Sequence, residues 1–340
     1  MQAETTAVDS ALPDLATNDR SAGTTATAPS ARRARDLVVD LGTLLRPGQW
    51  PKTLLVVPLP LIGAAGWTLA GVGRVVAAVV AFLIASGLVY VVNDITDRHR
   101  DRQHPGKRGR PIASGRVPVG LAWAYAVVLA AVLAALIAGW PLDRSWPVLL
   151  YLALNLAYSR GLKHVPLLDV FIVSTGFLLR LAAGYVALGD LVSRWLLVAV
   201  LALCLMLSLG KRRSELLTTS AAHRPALAGY SVSFVDQLLL LNAALTFMSY
   251  ALYLAEAPQE HGGVRIMLLS LPIALFALCR YLQAVLMHRG GADPVRTLFR
   301  DRALVACFLL WAVLIAADLW QLHLSGGHLV AGPAWPGWSR

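Results

Sequence analysis

Four oxygen-bearing side chains stand at the end of a long apolar stretch: Asn93, Asp94, Asp97 and Asp101. On a continuous helix their spacings bring all four to one face. Carboxylate and amide oxygens suit Mg2+, which takes one or two protein carboxylates and completes its octahedron with waters and substrate phosphates. Acids this close also repel one another unless a cation lies among them. The pattern predicts a Mg2+ site at these residues; the alternative is a solvated, charge-balanced helix end.

A basic loop follows the acids and favours an anionic ligand. Lys107, Arg108 and Arg110 supply cations for phosphate oxygens. Gly106 and Gly109 let the backbone approach a ligand closely. Because acids at membrane depth are usually functional, we interpret the acids and the loop together as a site for a magnesium-bound diphosphate at the edge of a bilayer.

The composition is that of an integral membrane protein. Of the 340 residues, 57% are hydrophobic and 14% are charged, and the mean hydropathy is +0.62, well outside the range of soluble domains. The formal net charge of +11 could indicate nucleic acid, but the basic residues lie in short loops rather than along one face. We therefore expect a lipid bilayer and phosphate ligands as partners, and no nucleic acid.

Nine apolar windows approach or reach the roughly 20 residues that a helix needs to cross a bilayer. They are 51–70, 74–95, 119–139, 146–159, 165–188, 194–211, 232–255, 264–287 and 302–323. The shortest is the fourth. We predict an all-α integral membrane fold with nine transmembrane helices.

The ends of the chain differ from this apolar body. Residues 1–36 are rich in Ala, Thr, Ser and Asp, so we predict a disordered cytoplasmic tail. Residues 37–325 would form the transmembrane catalytic domain, and residues 326–340 would form a short external tail.

Lysine and arginine concentrate in alternate connections between the windows. With a cytoplasmic N-terminus, the cytoplasmic side receives clusters such as 98–116 and 211–213. Each opposite connection carries only about one arginine, and this asymmetry is typical of membrane topology. We predict a multi-pass protein of the inner (plasma) membrane whose active site faces the cytoplasm.

Three further polar groups fall on the same side and outline a pocket with the aspartates. Their candidate substrate-binding residues are Lys52, Tyr158, Lys163, Asp169, Lys211, Arg212 and Glu215. A plainer interpretation stays open for several of them. Basic residues at span ends can anchor the topology, and aromatic residues there can belong to the interfacial belt.

Asp169 and Arg180 lie in a span of Leu, Val and Phe that offers them no water. Eleven residues apart on a helix, they share a face but are separated by about 16 Å along the axis, so they cannot pair directly. Each therefore needs a partner from another helix or a ligand. We expect Arg180 to have a functional or a bundle-organising role.

Two motifs resemble the first signature of the UbiA superfamily of intramembrane prenyltransferases. They are Asn-Asp-x-x-Asp-x-x-x-Asp at 93–101 and Arg-Pro-Ile-Ala-Ser-Gly at 110–115. The similarity in span layout covers residues 40–323. The resemblance implies a ring of nine helices around a cytoplasm-facing cavity, with a lateral gap that admits a lipid tail.

Three stretches, 45–52, 104–111 and 208–216, are similar to a phosphoribosyl-transferring branch of this superfamily. Typical members carry a second Asp-x-x-x-Asp motif near the fifth span, where this chain has Asp169 followed by Val173. This departure fits the phosphoribosyl branch better than a two-metal prenyl-diphosphate site. The resemblance then implies transfer of 5-phosphoribose from phosphoribosyl diphosphate to a polyprenyl (decaprenyl) phosphate, releasing diphosphate, on the route to cell-wall arabinan.

The residues and the resemblance agree on a mechanism. Departing diphosphate gathers negative charge, so catalysis should come mainly from Mg2+ and cations around the leaving group. Asp94 and Asp97 would hold the ion, with Asn93 and Asp101 orienting it or its waters. Seven of the remaining candidates have an expected role. Lys107, Arg108, Lys211 and Arg212 would bind the donor phosphates, and Tyr158, Lys163 and Arg180 would position the acceptor phosphate or the ribose.

Two other functions remain as alternatives. One is prenyl transfer from a prenyl diphosphate to an aromatic acceptor, which must lose a proton; a phosphate acceptor, with a second pKa of about 6, needs no general base. The other is ion-coupled transport, which favours internal repeats and helices broken near the midplane. A homo-oligomer also stays open, because Ala182, Ala183 and Gly184 permit close packing.

Overall fold

The computed structural model describes residues 29–57, 68–218, 225–256, 266–287 and 300–324, and every regular element in these ranges is helical. The α-helices are α1 (Pro29–Leu44), α2 (Leu69–Thr96), α3 (Arg98–Gln103), α4 (Val119–Ile137), α5 (Leu142–Arg160), α6 (Leu168–Leu188), α7 (Arg194–Thr218), α8 (Val232–Glu256), α9 (Ser270–Leu286) and α10 (Arg302–Leu324). Short 3-10 segments lie between them at Pro47–Val56, Leu162–His164, Pro225–Gly229 and Ile266–Leu269.

Five of these helices, α2, α4, α6, α7 and α8, are long and apolar enough to cross a membrane. Helix α9 and the apolar part of α10, Arg302–Ala317, are shorter. Helix α5 carries Asp143 and Arg144 in its first turn and is not among the five. The predicted all-α membrane fold is confirmed. The count of nine is not, because half of the first predicted span, 51–70, lies outside the described residues.

Helix α2 packs against α4, α5 and α6 and organises the first half of the bundle. Phe82 and Ala85 of α2 are fully buried and share a core cluster with Val148 of α5 and Leu179 of α6. In a bilayer, such contacts are stabilised by close van der Waals packing rather than by the removal of apolar surface from water, and close packing favours small residues at helix interfaces. The alanines of α2 meet this need and bring three neighbouring helices onto it.

A second core joins α6, α7, α8 and α9. Met206 and Leu209 of α7 pack with Leu239 of α8 and Val285 of α9. The Tyr281 side chain of α9 reaches α7 at Gly210, where an added Cβ would lie 2.6 Å from the Tyr281 hydroxyl oxygen. The second half of the bundle is therefore tightly packed next to the basic end of α7.

A third core lies beneath the basic loop that follows α3. Leu44 of α1 and Ile95 of α2 pack there with Ile112 and Val117 of the loop, and all four are almost completely buried. These contacts bind the loop to the ends of α1, α2 and α4. The loop therefore has a fixed position despite its charge.

Many large apolar side chains outside these cores are exposed. Val127 is 65% exposed, Met248 59% and Leu309 58%. Exposed apolar surface on this scale is rare on soluble monomers and marks contact with lipid or protein. The exposure pattern agrees with an integral membrane protein.

Helix α1 begins at Pro29, inside the range 1–36 that the sequence predicts as a disordered tail. Residues 1–28 and the predicted external tail, 326–340, lie outside the described residues. The helix therefore extends across the predicted boundary at residue 36, and the division into tails and domain stays a prediction.

Candidate functional site

The aspartate cluster lies where α2 ends and α3 begins. The Asp97 N–H donates to the Asn93 carbonyl at 2.8 Å, and the Asp101 N–H donates to the Asp97 carbonyl at 2.9 Å, so helical hydrogen bonding continues across the junction. On such a helix the four predicted ligands spread over an arc of about 100°. That arc is wide enough for its two ends to meet different partners, and the predicted shared face divides into two pairs.

Asp94 and Asp101 form the buried pair, with 4% and 3% exposure. Asp94 Oδ1 accepts hydrogen bonds from Arg46 at 2.5 Å and from Arg110 at 3.0 Å. The same Arg110 nitrogen donates to Asp101 Oδ2 at 2.7 Å. Lys107 Nζ lies 3.9 Å from Asp101. Since buried carboxylates require such partners, this half of the cluster is held together by arginine.

The basic loop presents Arg110 from a fixed backbone. Arg102 Nε donates to the Ala113 carbonyl at 2.8 Å, and the Val117 N–H donates to the Pro111 carbonyl at 3.0 Å. Lys107 and Arg108 lie on the exposed side of the loop. The loop therefore directs Arg110 at both buried aspartates, places the exposed Lys107 within 3.9 Å of Asp101 and presents Arg108 to the surface.

Asn93 and Asp97 form the second pair and face the end of α5. Asn93 Oδ1 accepts a hydrogen bond from Ser159. Lys163 Nζ donates to both Asp97 oxygens, at 2.8 and 3.2 Å. The Asp97 side chain is 32% exposed, so it is the most accessible of the three carboxylates. Tyr158 is half-buried beside Ser159.

Arg46 belongs to this site although the sequence pointed to Lys52 from the same stretch. A residue before proline is disfavoured in the α conformation, and α1 accordingly ends at Leu44, before Arg46 and Pro47. Arg46 adopts φ 50° and ψ 65°, a left-handed conformation. Its guanidinium reaches Asp94. The Arg-Pro pair was the available signal, whereas Lys52 is half-buried and makes interactions of its own.

A second charged network joins the start of α6 to the end of α7. Asp169 is fully buried, and its Oδ1 accepts a hydrogen bond from the Tyr230 hydroxyl at 2.7 Å. Arg212 Nε lies 3.1 Å from Asp169 Oδ2, an ion pair without the alignment of a hydrogen bond. Arg212 also pairs with Glu215, and Lys211 is exposed. Asp169 thus holds Arg212 in place and is shielded from solvent.

Tyr230 was not predicted from the sequence, yet it completes this network. Its hydroxyl donates to Asp169 and accepts a hydrogen bond from the Leu167 N–H at 2.7 Å. Burial, and then the hydrogen bond to Asp169, raise the pKa of this phenol above its ordinary value. The phenol therefore stays protonated and remains a donor at neutral pH.

The turn before α6 connects the two networks. Lys163 at its start binds Asp97, and Asp169 at its end binds Arg212. Leu167 within the turn has φ 66°, and it shares positive φ with Arg46 alone among the described non-glycine residues. Such conformations cost about 1–3 kcal/mol and persist where the surroundings enforce them. Both strained residues border the candidate site.

Arg180 lies deeper in the bundle. Its guanidinium donates to Ser86 of α2 at 2.8 Å and to Tyr151 of α5 at 3.2 Å. The prediction that Asp169 and Arg180 each find partners on other elements is confirmed. Ser86 and Tyr151 gave no signal in the sequence, because single hydroxyls in apolar spans are common.

The donor chemistry of the aspartate cluster fits Mg2+, but the described side chains do not enclose a cation by themselves. No group of three or more His, Cys, Asp or Glu side chains in those ranges converges on one point. Instead, arginine and lysine neutralise the carboxylates. Mg2+ usually takes one or two carboxylates and completes its shell with substrate phosphates. The residues therefore fit an ion that arrives with an anionic ligand.

Comparison with known proteins gives a consistent assignment. Residues 55–301 match the model of the UbiA prenyltransferase family. The chain is 34% identical to the decaprenyl-phosphate phosphoribosyltransferase of Corynebacterium glutamicum over 82% of its length and 86% of that relative. It is also 34% identical to the protein of that name from Mycobacterium tuberculosis, over 83% of its length and 95% of the relative.

A solved structure supports the same fold. A UbiA homologue from Archaeoglobus fulgidus, bound to GPP and Mg2+, superposes with a TM-score of 0.61 over 84% of this chain and 99% of that one. The two sequences are 19% identical. At this identity the likeness concerns the arrangement of the helices alone.

Proposed function

Because the chain belongs to the UbiA prenyltransferase family, we propose that it transfers 5-phosphoribose from phosphoribosyl diphosphate to a polyprenyl phosphate such as decaprenyl phosphate. Diphosphate is released, and the product serves as an arabinan precursor. The observation that carries the proposal is the 34% identity, over more than four fifths of the chain, to relatives that bear the name of this activity.

The distribution of charge supports a donor that carries several phosphates. Lys107 and Arg108 lie on the exposed side of the loop, Lys211 is exposed at the end of α7, and Lys52 lies on the 3-10 segment after α1. Loss of diphosphate from the ribose develops negative charge on the leaving group, which positioned cations stabilise. We assign these side chains and Arg212 to the donor phosphates.

Asp94 and Asp97 would hold a Mg2+ ion, and Asn93 and Asp101 would orient it or its waters. When bound, the ion neutralises charge on the departing diphosphate. Arg110 and Arg46 hold Asp94 in place, while Lys163 holds Asp97. These arginines and this lysine keep the carboxylates ordered before a substrate arrives.

The acceptor side is assigned to the end of α5 and the turn that follows. Lys163 and Tyr158 would position the acceptor phosphate against the ribose. Arg180 would bind a phosphate or the ribose from the interior of the bundle. A phosphate nucleophile is already largely dianionic at neutral pH, since its second pKa is about 6. The site therefore needs no general base for this reaction.

Asp169 and Glu215 act indirectly. Both bind Arg212, and Asp169 is inaccessible to solvent. Their negative charges would fix the direction of the Arg212 guanidinium rather than contact the substrate themselves.

The site would face the cytoplasm, where a soluble phosphorylated sugar donor is available. The basic loop after α3, the turn before α6 and the end of α7 all lie at one end of the bundle and together carry eight lysines and arginines. The positive-inside tendency places such loops in the cytoplasm.

The proposal is tested by a donor competition with purified protein in lipid nanodiscs. One reaction receives radiolabelled phosphoribosyl diphosphate and a polyprenyl phosphate; the other receives labelled prenyl diphosphate and an aromatic acid. We expect Mg2+-dependent label in a lipid phosphate only in the first. Label in the aromatic product alone would show conventional prenyl transfer instead of the proposed function. Label in neither product would exclude both functions.

A further inference from the structure

Arg180 is a buried cation in the middle of the bundle. It is 6% exposed and lies twelve residues after Leu168, the start of α6, which is about 18 Å along the helix axis. Its hydrogen-bond acceptors are the hydroxyls of Ser86 and Tyr151 and the carbonyl of Gly176. The Tyr151 ring centre lies 4.7 Å from the guanidinium carbon. All of these partners are electrically neutral.

The other buried arginines of the described chain have acidic partners. Arg212 pairs with Asp169, and Arg213 pairs with Asp236 at 2.6 Å. Within the described ranges no ion pair joins Arg180 to an Asp or Glu, and its Nε is buried without a hydrogen-bond partner. A charge at membrane depth is costly without a partner of opposite charge, and such residues usually mark a functional site. Arg180 therefore has an unused donor and an uncompensated charge.

A polar column connects Arg180 to the aspartate cluster. Ser86, Tyr90 and Asp94 follow one another at intervals of four residues on α2, so they rise along one face over about 12 Å. The Tyr90 ring centre lies 4.7 Å from the guanidinium carbon of Arg46, the partner of Asp94. A lipid tail that extended from the aspartates along this face would contact the Tyr90 phenol, the Ser86 hydroxyl and the Arg180 guanidinium.

We propose that Arg180, with Ser86 and Tyr151, forms a second phosphate subsite inside the membrane, separate from the diphosphate subsite at the aspartates. Its ligand is a phosphate monoester carried by one of the two substrates: the 5-phosphate of the donor ribose or the phosphate of the lipid acceptor. The inference rests on the proposed function, because it needs substrates with a phosphate besides the diphosphate.

The chemistry of the subsite suits this ligand. Phosphate oxygens accept hydrogen bonds from guanidinium and hydroxyl donors, and charge-assisted bonds of this kind are roughly twice as strong as neutral ones. A dianionic phosphate would supply the negative charge that Arg180 lacks. The subsite would also favour a phosphate group over an apolar prenyl tail, since a tail would leave the charge of Arg180 uncompensated.

The test is equilibrium binding to purified protein in nanodiscs, with phosphoribosyl diphosphate, inorganic diphosphate plus Mg2+, ribose 5-phosphate and geranyl phosphate as probes. Arg180→Gln should weaken one monoester by about tenfold or more, the effect of losing a charge-assisted hydrogen bond. Diphosphate affinity should not change. A selective loss of ribose 5-phosphate assigns the subsite to the donor, and a selective loss of geranyl phosphate assigns it to the acceptor.

Arg213→Gln is the matched control, because it also removes a buried arginine but one that is paired with Asp236. It should lower the melting temperature without altering the affinity for any probe. If Arg180→Gln leaves both monoesters unchanged, or weakens diphosphate equally, the subsite is refuted. If the wild-type protein binds neither phosphoribosyl diphosphate nor either monoester, the proposed function itself fails and the inference falls with it.

Two milder variants keep the proposal testable if Arg180→Gln does not fold. Tyr151→Phe and Ser86→Ala each remove one hydroxyl and leave the cation in place. Each should weaken the same monoester by about threefold to tenfold, which corresponds to one lost hydrogen bond. Unchanged monoester affinity in both variants would refute the subsite as well.

Discussion

Each acid of the candidate site is held by a base. Asp94 and Asp101 share Arg110, Arg46 also binds Asp94, and Asp97 pairs with Lys163. The exposed position of Asp97 distinguishes it from the other two carboxylates, since it is the one that a ligand from solvent reaches first. The roles of the three acids should therefore differ.

The first prediction concerns Asp97. Asp97→Asn should lower Mg2+-dependent turnover by about a hundredfold, since it removes a charged ligand from the proposed metal and leaves Lys163 unpaired. The measurement is the initial rate of phosphoribosyl transfer against Mg2+ concentration, with expression and melting temperature as checks.

Asp143→Asn is the control for this substitution. Asp143 is exposed in the first turn of α5, at the opposite end of that helix from Ser159, and its loss should leave the rate unchanged. Full turnover in Asp97→Asn with a normal Mg2+ dependence would exclude Asp97 as a ligand of the metal.

The second prediction follows from the charge balance of the site. The three carboxylates face four cationic side chains, those of Arg46, Arg110, Lys163 and, at 3.9 Å, Lys107, so a bare Mg2+ ion would add positive charge to a cluster that has no net negative charge. An accompanying diphosphate would remove this penalty. Mn2+ used as a paramagnetic substitute should therefore bind about tenfold or more tightly in the presence of inorganic diphosphate, as measured by electron paramagnetic resonance. Equal affinity with and without diphosphate would show that the carboxylates hold the ion alone.

At the scale of elements, the turn before α6 positions both halves of the site. Pro166 packs directly against Gly229, where an added Cβ would lie 2.3 Å from Pro166 Cγ and 2.7 Å from its Cβ. The proline ring is rigid and cannot yield as a long side chain would. The strained Leu167 and the buried Asp169 follow immediately in the chain, so a displacement of the turn would reach the Arg212 network.

The third prediction tests this arrangement. Gly229→Ala should destabilise the protein by about 1–3 kcal/mol, because it overpacks a tight contact, and it should lower activity as well. The thermal midpoint and the KM for phosphoribosyl diphosphate would be measured together. Gly120→Ala is the matched control: no atom lies within 4 Å of an added Cβ there, and alanine favours the helix. Equal behaviour of the two variants would contradict the role of the turn.

The sequence predicted the apolar helices well but not how far they extend. The window 194–211 ends at Lys211, whereas α7 continues to Thr218. Arg212 and Arg213 remain helical and buried there because Asp169, Asp236 and the carbonyl of Val285 satisfy them. Hydropathy cannot show this, since the partners come from three other helices. An apolar stretch can be recognised from neighbouring residues, whereas the pairing of charges depends on residues that are distant in the chain.

At the scale of the whole molecule, the sequence identified the charged end of the bundle and most residues of the candidate site. Arg46 and Ser159 were given no role of their own and Tyr230 was missed, because each joins the site only through contacts with residues far away in the chain. The partition of the aspartates into two pairs also depends on such contacts. Residue types and spacing therefore gave the chemistry, while tertiary packing decided which acid meets which base.

The fourth prediction concerns the orientation of the bundle. Gly109 lies in the basic loop that leads into α4, and Gly139 lies just beyond the opposite end of α4, so the membrane should separate them. An added Cβ meets no atom within 4 Å at either position, which makes cysteine tolerable at both. In a variant without Cys204, Cys279 and Cys307, a membrane-impermeant maleimide should label Gly109→Cys only in inside-out vesicles and Gly139→Cys only in right-side-out vesicles. The reverse pattern would place the aspartates outside the cell, away from soluble phosphoribosyl diphosphate, and labelling of both from one side would contradict a membrane-spanning α4.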